Sequence, residues 1–279
     1  MKKISRRSFL AAAGLSVAAL ALTACGGSSA STASSVASSA ASSEAASTSA
    51  VAGELTTVEA GKLTMATNAA FPPYEMTTDA GEFEGIDIET AQAIADKLGL
   101  ELQIDDMDFD AALLSVQQGK ADIVMAGVTV TDERKAVMDF SDSYATGIQS
   151  IIVPEGSDIA SPDDLAGKKI GTQRGTTGYI YCSDDFGDDN VVAYDDGLTA
   201  VQALNNGQVD AVVIDNAPAQ EFIAANPGLK ILDTSYAEED YAIGMAKGSS
   251  LEDAVNAALK ELKADGTLQS IVDKYITAE

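Results

Sequence analysis

The 279-residue chain contains 43 Asp and Glu residues against 17 Lys and Arg, for a formal net charge of −26. Such an acidic surface repels phosphate backbones and anionic headgroups, so we expect no nucleic acid partner. The chain has no histidine, which excludes catalytic sites with an imidazole base and zinc sites with imidazole ligands, and we expect neither a metal nor a cofactor.

The first 25 residues have the pattern of a targeting segment. A cationic stretch precedes the apolar residues 9–22, which are too few to span a bilayer. Residues 22–25 (LTAC) resemble a lipobox, which predicts lipidation at Cys25 and a mature chain that starts there. Residues 5–10 (SRRSFL) resemble a twin-arginine export motif, but other export signals also contain paired arginines, so the export route stays open. The second cysteine, Cys182, then has no intramolecular partner and is predicted to be a buried, unreactive thiol.

Residues 26–57 are rich in serine, alanine and threonine and contain almost no large apolar side chains. Such a segment cannot bury enough surface to offset the entropy lost on ordering, so we predict a disordered tether. A flexible chain of this size spans on the order of 30 Å. The tether would let a folded domain reach a neighbouring membrane protein.

The first half of the folded body, from about residue 58, alternates strands and helices. The predicted elements are strands over residues 62–67 and 100–104 and helices over residues 87–98 and 109–118. Asp87 is the predicted N-cap of the first helix, and Gly99 ends it. Residues 122–130 predict an apolar strand interrupted at Gly127, followed by a short helical turn that contains Arg134.

The second half continues this pattern. Apolar stretches predict strands over residues 148–153, 169–172 and 241–246. Residues 251–275 predict two amphipathic helices that are separated at Gly266 and pack on the first lobe. The alternation of strands and helices predicts an α/β protein.

Two segments of the body repeat each other at an offset of 88 residues, each with a helix, a glycine stop, an aspartate and an apolar strand. The equivalent pairs are Asp108 and Asp196, Ala112 and Ala200, Val116 and Leu204, Gly119 and Gly207, Asp122 and Asp210, and Val124 and Val212. The same offset relates Gly127 to Asp215. Since ligands of open α/β sheets bind beyond the carboxyl ends of strands, these two residues are predicted to face each other across a cleft between two similar lobes.

Five motifs resemble segments of one protein family. In chain order they are FPPYE at 71–75, GEFEGIDIETAQAIADKLG at 81–99, TVTDER at 129–134 with DFSDSY at 139–144, GTTG at 175–178, and VDAVVID at 209–215. Together they resemble the extracellular solute-binding proteins that deliver polar amino acids to ABC importers. The resemblance covers roughly residues 60–279.

The resemblance implies a two-lobed fold of the type II periplasmic-binding-protein kind. Each lobe would contain a mostly parallel sheet flanked by helices, and the ligand would bind in the cleft between the lobes. Lobe 1 would comprise residues 58–147 and 242–279, and lobe 2 residues 148–241. The chain would cross between the lobes near residues 144–148 and 237–241.

The resemblance also implies how the ligand's charged groups are held. Arg134 would bind the carboxylate, helped by the backbone of Gly127 and Thr129 and by Thr177, and Asp215 would bind the ammonium group. Read by itself, Arg134 also fits a surface ion pair with Asp132 or Glu133. Asp215 also fits a helix N-cap, and the turn that contains Thr176 and Thr177 fits either a helix cap or an anion site.

The ligand's side chain would lie between Phe71 and Phe109, which match the family's sandwiching positions. Asn68 stands where related proteins often have an acidic residue that pairs with a cationic side chain. Gln173 and Ile214 match other positions that face the side chain. This set predicts a polar, uncharged, glutamine-like ligand.

The predicted function is that of a monomeric binding component that captures an amino acid outside the cell membrane, to which Cys25 anchors it. It would deliver the ligand to the permease of an ABC importer. Two alternatives stay open. Some proteins of this fold are dehydratases that act on prephenate-like compounds, for which Glu75 is the only nearby general acid. A sensor that reports its ligand to a membrane kinase is the other.

Overall fold

The computed structural model describes residues 55–276. The targeting segment, Cys25 and all but the last three residues of the predicted tether lie outside the described residues, so those predictions stay predictions. The strands are β1 Lys62–Thr67, β2 Ala70–Phe71, β3 Glu75–Thr77, β4 Phe83–Glu84, β5 Glu101–Asp106, β6 Ile123–Val124, β7 Met138–Phe140, β8 Ala145–Pro154, β9 Ile170–Gln173, β10 Val191–Tyr194, β11 Ala211–Asp215, β12 Leu229–Ile231, β13 Ala237–Tyr241 and β14 Gly244–Ala246. The α-helices are α1 Ile86–Leu98, α2 Phe109–Gln117, α3 Asp132–Val137, α4 Thr177–Phe186, α5 Gly197–Asn205, α6 Asn216–Ala225, α7 Glu252–Ala264 and α8 Thr267–Tyr275.

The strands form two main sheets, each of which defines a lobe. Lobe 1 has the strand order β5-β1-β6-β14-β7, and lobe 2 has the order β10-β9-β11-β8-β12, with β13 also paired to β8. The predicted two-lobed α/β architecture is confirmed, but the sheets are mixed rather than mostly parallel. Strands joined by crossover helices pair in parallel, whereas β8, β13 and β14, by which the chain passes between the sheets, pair antiparallel. A third, three-stranded sheet contains β2, β3 and β4.

The C-terminal helices complete the core of lobe 1. The predicted break between α7 and α8 at Gly266 is confirmed, and the backbone of this glycine is left-handed. Both helices pack on α1 through an apolar stripe at helical spacing. The buried members of this stripe are Val255, Leu259, Leu262, Leu268 and Ile271.

The internal repeat is confirmed at the level of hydrogen bonds. Helices α2 and α5 begin and end at positions 88 residues apart. In each copy the aspartate before the strand accepts an N–H of the neighbouring strand segment: Asp122 accepts that of Thr64, and Asp210 that of Lys169, both at 2.8 Å. Each aspartate therefore fixes the start of an equivalent strand.

Three local predictions are wrong. Asp87 is not an N-cap, because α1 begins at Ile86 and its first N–H groups donate to the carbonyls of Pro73 and Tyr74. The strand predicted over residues 122–130 ends at Val124, and the chain then turns at Gly127. The strand predicted over residues 241–246 is two strands, β13 and β14, one in each main sheet.

Gly85 makes the close contact between the start of α1 and the segment before β3. Its φ is +130°, and a Cβ atom there would lie 2.2 Å from the carbonyl oxygen of Tyr74. Replacing Gly85 by alanine is therefore expected to lower the free energy of unfolding by about 3 kcal/mol or more, through backbone strain and a clash with main chain. Urea denaturation measures this, with Gly81→Ala as the control. Gly81 also has a positive φ but faces open space, so its loss is expected to be only about 1 kcal/mol. Equal losses for the two variants would contradict the prediction.

Within residues 55–276, no helix combines the length and apolar character needed to cross a membrane.

Cys182 is completely buried, and burial raises the pKa of its thiol to about 12. The predicted burial of this thiol is confirmed.

Candidate ligand-binding site

One cavity between the lobes is lined by all ten residues predicted to bind the ligand. The volume in it that the centre of a water-sized sphere can reach is about 20 Å³, room for about one ordered water molecule. Glu75 and Ala126 also line it. The ten predicted residues are Asn68, Phe71, Phe109, Gly127, Thr129, Arg134, Gln173, Thr176, Thr177 and Asp215.

Arg134 supplies the positive charge of the cavity. It lies in α3, and its guanidinium is buried over the ring of Phe109, 5.4 Å from the ring centre. It donates to the carbonyls of Thr129 at 2.8 Å and Gly175 at 3.1 Å. Two of its five N–H donors are therefore used, which leaves three for a planar acceptor such as a carboxylate.

The alternative of a surface ion pair for Arg134 is wrong. Among the described residues, no carboxylate lies within ion-pair distance of its guanidinium, so neither Asp132 nor Glu133 pairs with it. The short helix α3 turns the guanidinium inward because Thr131, its N-cap, accepts the Arg134 N–H at 3.2 Å.

Gly127 lies where the chain leaves β6, with a φ of +54°. A Cβ atom there would lie 2.9 Å from the ring of Phe71, which explains the glycine. Its N–H donates to Oδ2 of Asp87 at 3.0 Å. The N–H of Gly127 is therefore already used by Asp87. The resemblance implied that the backbone of Gly127 helps to hold the ligand's carboxylate, but this N–H is not free to do so.

Thr129 and Thr177 meet at a carboxylate that the sequence analysis did not identify. Their hydroxyl groups donate to Oε2 of Glu239 at 3.1 and 3.0 Å, and Gln149 donates to the same oxygen at 2.9 Å. Glu239 lies on β13, in the segment assigned to a crossover, and is buried. In the structure buried and exposed residues alternate along 237–241, and Glu239 lies on the same face of β13 as Tyr241.

Asp215 ends β11 and faces Gly127 across the cavity, as the repeat predicts. It occupies the N-cap position of α6, but its side chain makes no capping hydrogen bond. It accepts instead from Gln149 at 2.8 Å, and its Oδ1 makes no hydrogen bond of ordinary length among the described residues, although the hydroxyl of Tyr241 lies near enough to lower the pKa of Asp215. Burial, with Glu239 nearby, raises the pKa of Asp215 to about 7. The free oxygen is suited to an ammonium group.

Thr176 caps the helix that follows it. Its hydroxyl accepts the N–H of Tyr179 at 3.3 Å, so the capping interpretation holds for this residue. Thr177 is the first residue of α4 and is almost completely buried in the cavity wall. The hydroxyl of Thr176 therefore acts as the helix cap, whereas the hydroxyl of Thr177 contacts Glu239.

The end of the cavity that the sequence assigned to the ligand's side chain contains two amides and two rings. Gln173 of lobe 2 donates to Oδ1 of Asn68 of lobe 1 at 2.8 Å, and this bond joins the lobes directly. Asn68 in turn donates to the carbonyl of Met107 at 3.0 Å. Phe71 and Phe109 are both buried. Ile214 is buried as well but does not line the cavity.

The cavity has an excess of buried acid. Asp87, Asp215, Glu75 and Glu239 are buried in or beside it, whereas Arg134 is the one buried Lys or Arg side chain within residues 55–276. Charged groups are costly to bury unless they meet a partner. The arrangement therefore suits a small zwitterion that brings at least one positive charge of its own.

Comparison with known proteins identifies the family. Residues 63–278 match the model of the bacterial extracellular solute-binding proteins, family 3. The L-cystine-binding protein TcyJ of Escherichia coli (strain K12) is 33% identical over 226 residues, which cover 79% of this chain and 85% of that protein.

Solved structures agree in fold. The arginine-, lysine-, histidine-binding protein ArtJ of Geobacillus stearothermophilus is 34% identical with a TM-score of 0.75, over 78% of this chain and 96% of that one. An ancestral arginine-binding protein, solved with glutamine bound, is 41% identical with a TM-score of 0.75, over 78% and 99%. These relatives are binding proteins and not enzymes, and nothing in them supports the dehydratase alternative. The chain belongs to family 3 of the bacterial extracellular solute-binding proteins.

Proposed function

We propose that this protein captures a free α-amino acid outside the cell membrane and delivers it to the permease of an ABC importer. The observation that supports this most directly is that Arg134 and Asp215, which carry opposite charges, line the same cavity. Arg134 retains three N–H donors for the α-carboxylate, and Asp215 retains one unpartnered oxygen for the α-ammonium group. Thr129 and Thr177 would orient the same groups through Glu239.

Binding would close the two lobes around the ligand. Direct hydrogen bonds already join the lobes, among them those from Gln173 to Asn68, from Arg134 to the carbonyl of Gly175 and from Thr129 to Glu239. Hinge motion at the two crossovers, near residues 144–148 and 237–241, would open and close the cavity. The lobes would comprise residues 58–147 with 242–279 and residues 148–241, and only the closed form would dock productively on the permease.

The protein would work as a monomer tethered to the membrane. The LTAC sequence at residues 22–25 supports a lipid anchor at Cys25, and the Ser/Ala-rich residues 26–57 support a flexible tether. Metabolic labelling with a fatty acid analogue tests the anchor, since Cys25→Ala would abolish incorporation while the other cysteine, Cys182, is buried.

A thermal-shift screen of residues 58–279 against the proteinogenic amino acids and prephenate tests the function. A ligand present at a thousandfold excess over its Kd stabilises the native state by about 4 kcal/mol. We expect a large shift with one amino acid or a few chemically related ones, because the cavity recognises both α-groups. Prephenate has no α-ammonium group and is expected to give none.

A response to prephenate together with silence from every amino acid would contradict the proposal and favour the dehydratase alternative. Amino acid binding that stimulates a membrane kinase and no uptake would instead support the sensor.

A further inference from the structure

Glu239 does not line the cavity itself, but it bonds to two residues that do, Thr129 and Thr177. Its Oε2 atom accepts from their hydroxyl groups at 3.1 and 3.0 Å and from the side-chain amide of Gln149 at 2.9 Å. All three neighbours are donors. This fits an ionised carboxylate, because that group can only accept hydrogen bonds. The protons of both threonine hydroxyls are therefore directed at Glu239.

The main chain around Thr129 is held firmly, so the direction of its hydroxyl proton is what Glu239 decides. The carbonyl of Thr129 accepts from Arg134 at 2.8 Å, and the residues on either side of Thr129 bond to the backbone of Asp240 and Ala242. A hydroxyl group has one proton and two lone pairs. Because the proton lies on the bond to Glu239, only the lone pairs remain for another partner. The cavity therefore meets a hydrogen-bond acceptor at Thr129.

Gln149 joins Glu239 to the acid that would hold the ligand's ammonium group. Its amide nitrogen has two protons, and it donates to Oε2 of Glu239 at 2.9 Å and to Oδ2 of Asp215 at 2.8 Å. Both neighbours are carboxylates, so the nitrogen of the amide, and not its oxygen, faces them. The other oxygen of Asp215, Oδ1, makes no hydrogen bond of ordinary length among the described residues. Asp215 and Thr129 therefore both offer acceptors to the same cavity.

We propose that Glu239 is a positioning residue that makes the cavity selective for an α-ammonium group over an α-hydroxyl group, because it keeps the Thr129 hydroxyl an acceptor. The inference rests on the proposed function and explains how the site would distinguish an amino acid from the matching 2-hydroxy acid. An ammonium group has three donors and bonds to both Asp215 and Thr129, whereas a hydroxyl group has one proton for the two acceptors. A hydroxy acid would leave one buried acceptor facing a lone pair, which is costly.

Calorimetry with two ligands that differ at one group tests this inference. The ligands are the amino acid that gives the largest shift in the thermal-shift screen and its 2-hydroxy acid of the same configuration. The selectivity is the ratio of their two Kd values, and for the original protein it is expected to be at least about 100. Glu239→Met removes the acceptor but keeps the length of the side chain, so the Thr129 hydroxyl is free to turn its proton into the cavity. This variant is expected to bind the amino acid more weakly and the hydroxy acid at least as tightly.

Glu239→Gln separates the direction of the hydroxyl proton from the charge. It lacks the charge, as Glu239→Met does, but its amide oxygen can accept the same three hydrogen bonds. Its selectivity is therefore expected to be at least about tenfold higher than that of Glu239→Met. Glu238→Met, which replaces an exposed acid of the same strand, is the matched control and is expected to keep the original selectivity.

Thr129→Val shows whether Glu239 acts through Thr129. It removes the hydroxyl group with almost no change of shape and is expected to lower the selectivity by at least about tenfold, a result that does not depend on whether Glu239→Met folds. In the Thr129→Val background, Glu239→Gln and Glu239→Met are expected to have nearly the same selectivity, because the group that Glu239 orients is gone.

Equal selectivity of Glu239→Gln and Glu239→Met would overturn this inference alone and leave the proposed function intact. An original protein that binds the amino acid and its 2-hydroxy acid equally tightly would do the same, and so would unchanged selectivity in Thr129→Val. Absence of binding by every proteinogenic amino acid would overturn the proposed function and the inference with it.

Discussion

Arg134→Ala is expected to lower the affinity for the amino acid by about a thousandfold. Removing one partner of a buried charge pair costs about 3–5 kcal/mol, and each 1.4 kcal/mol is a factor of about ten in Kd. The ligand's carboxylate would be left in a cavity that is lined by Asp215 and has the buried Glu239 beside it. Calorimetry with the ligand found in the thermal-shift screen measures the change.

The matched control for this variant is Arg174→Ala. Arg174 lies just before Gly175 but is exposed, and it pairs with the exposed Asp195 at 3.4 Å. Because exposed ion pairs contribute little, its replacement is expected to change affinity by no more than a few fold. Arg134→Lys should fall between the two, since it keeps the charge but loses the planar fork. An Arg134→Ala variant that binds within tenfold of the original protein would contradict the assignment.

Asp215→Asn is expected to stabilise the free protein while it weakens ligand binding. The pKa of Asp215 is raised from its ordinary value to about 7. A carboxyl group with a raised folded-state pKa holds its proton more tightly when folded, so its contribution to stability is greatest at low pH and is lost as the pH rises through about 7. Relative to low pH, the raised pKa then lowers the free energy of unfolding by about 4 kcal/mol at pH 8 and by less than half of that at pH 5.

Urea denaturation of Asp215→Asn and the original protein at pH 5 and pH 8 measures this difference. The asparagine carbonyl can still accept from Gln149, so the hydrogen bond to the neighbouring strand is retained. Asp184→Asn, an exposed acid of the same lobe, is the control and should change stability by less than about 0.5 kcal/mol. A stability gain that does not grow with pH, or a gain in affinity, would contradict the prediction.

The parts of the site that follow from local patterns were predictable from the sequence. The repeat placed Gly127 and Asp215 at equivalent strand ends, and both line the cavity. The inward turn of Arg134 depends on a helix whose N-cap, Thr131, is three residues away. Interactions between residues only a few positions apart can be predicted from the sequence of residue types.

The acids Asp87 and Glu239 were not predictable in the same way. The role of Asp87 depends on the docking of α1 against the carbonyls of Pro73 and Tyr74, a contact that local propensity does not reveal. Without it, an aspartate at the start of a helix is most simply an N-cap. Glu239 was missed because the strand was predicted to begin at Tyr241, four residues after β13 begins. The neutral, glutamine-like ligand that Asn68 and Gln173 suggest stays a prediction.

The two copies of the helix–Gly–Asp–strand unit suggest how such a site arises. Two identical lobes would present the same group twice, and a cleft between them would fit a ligand with twofold symmetry. An α-amino acid has no such symmetry, because one end is an anion and the other a cation. At the equivalent strand ends the copies differ, with a glycine in one and an aspartate in the other. Together with Arg134, whose equivalent position in the other copy is Phe222, this divergence makes the two sides of the cleft chemically different, so that an amino acid would bind in only one favourable orientation.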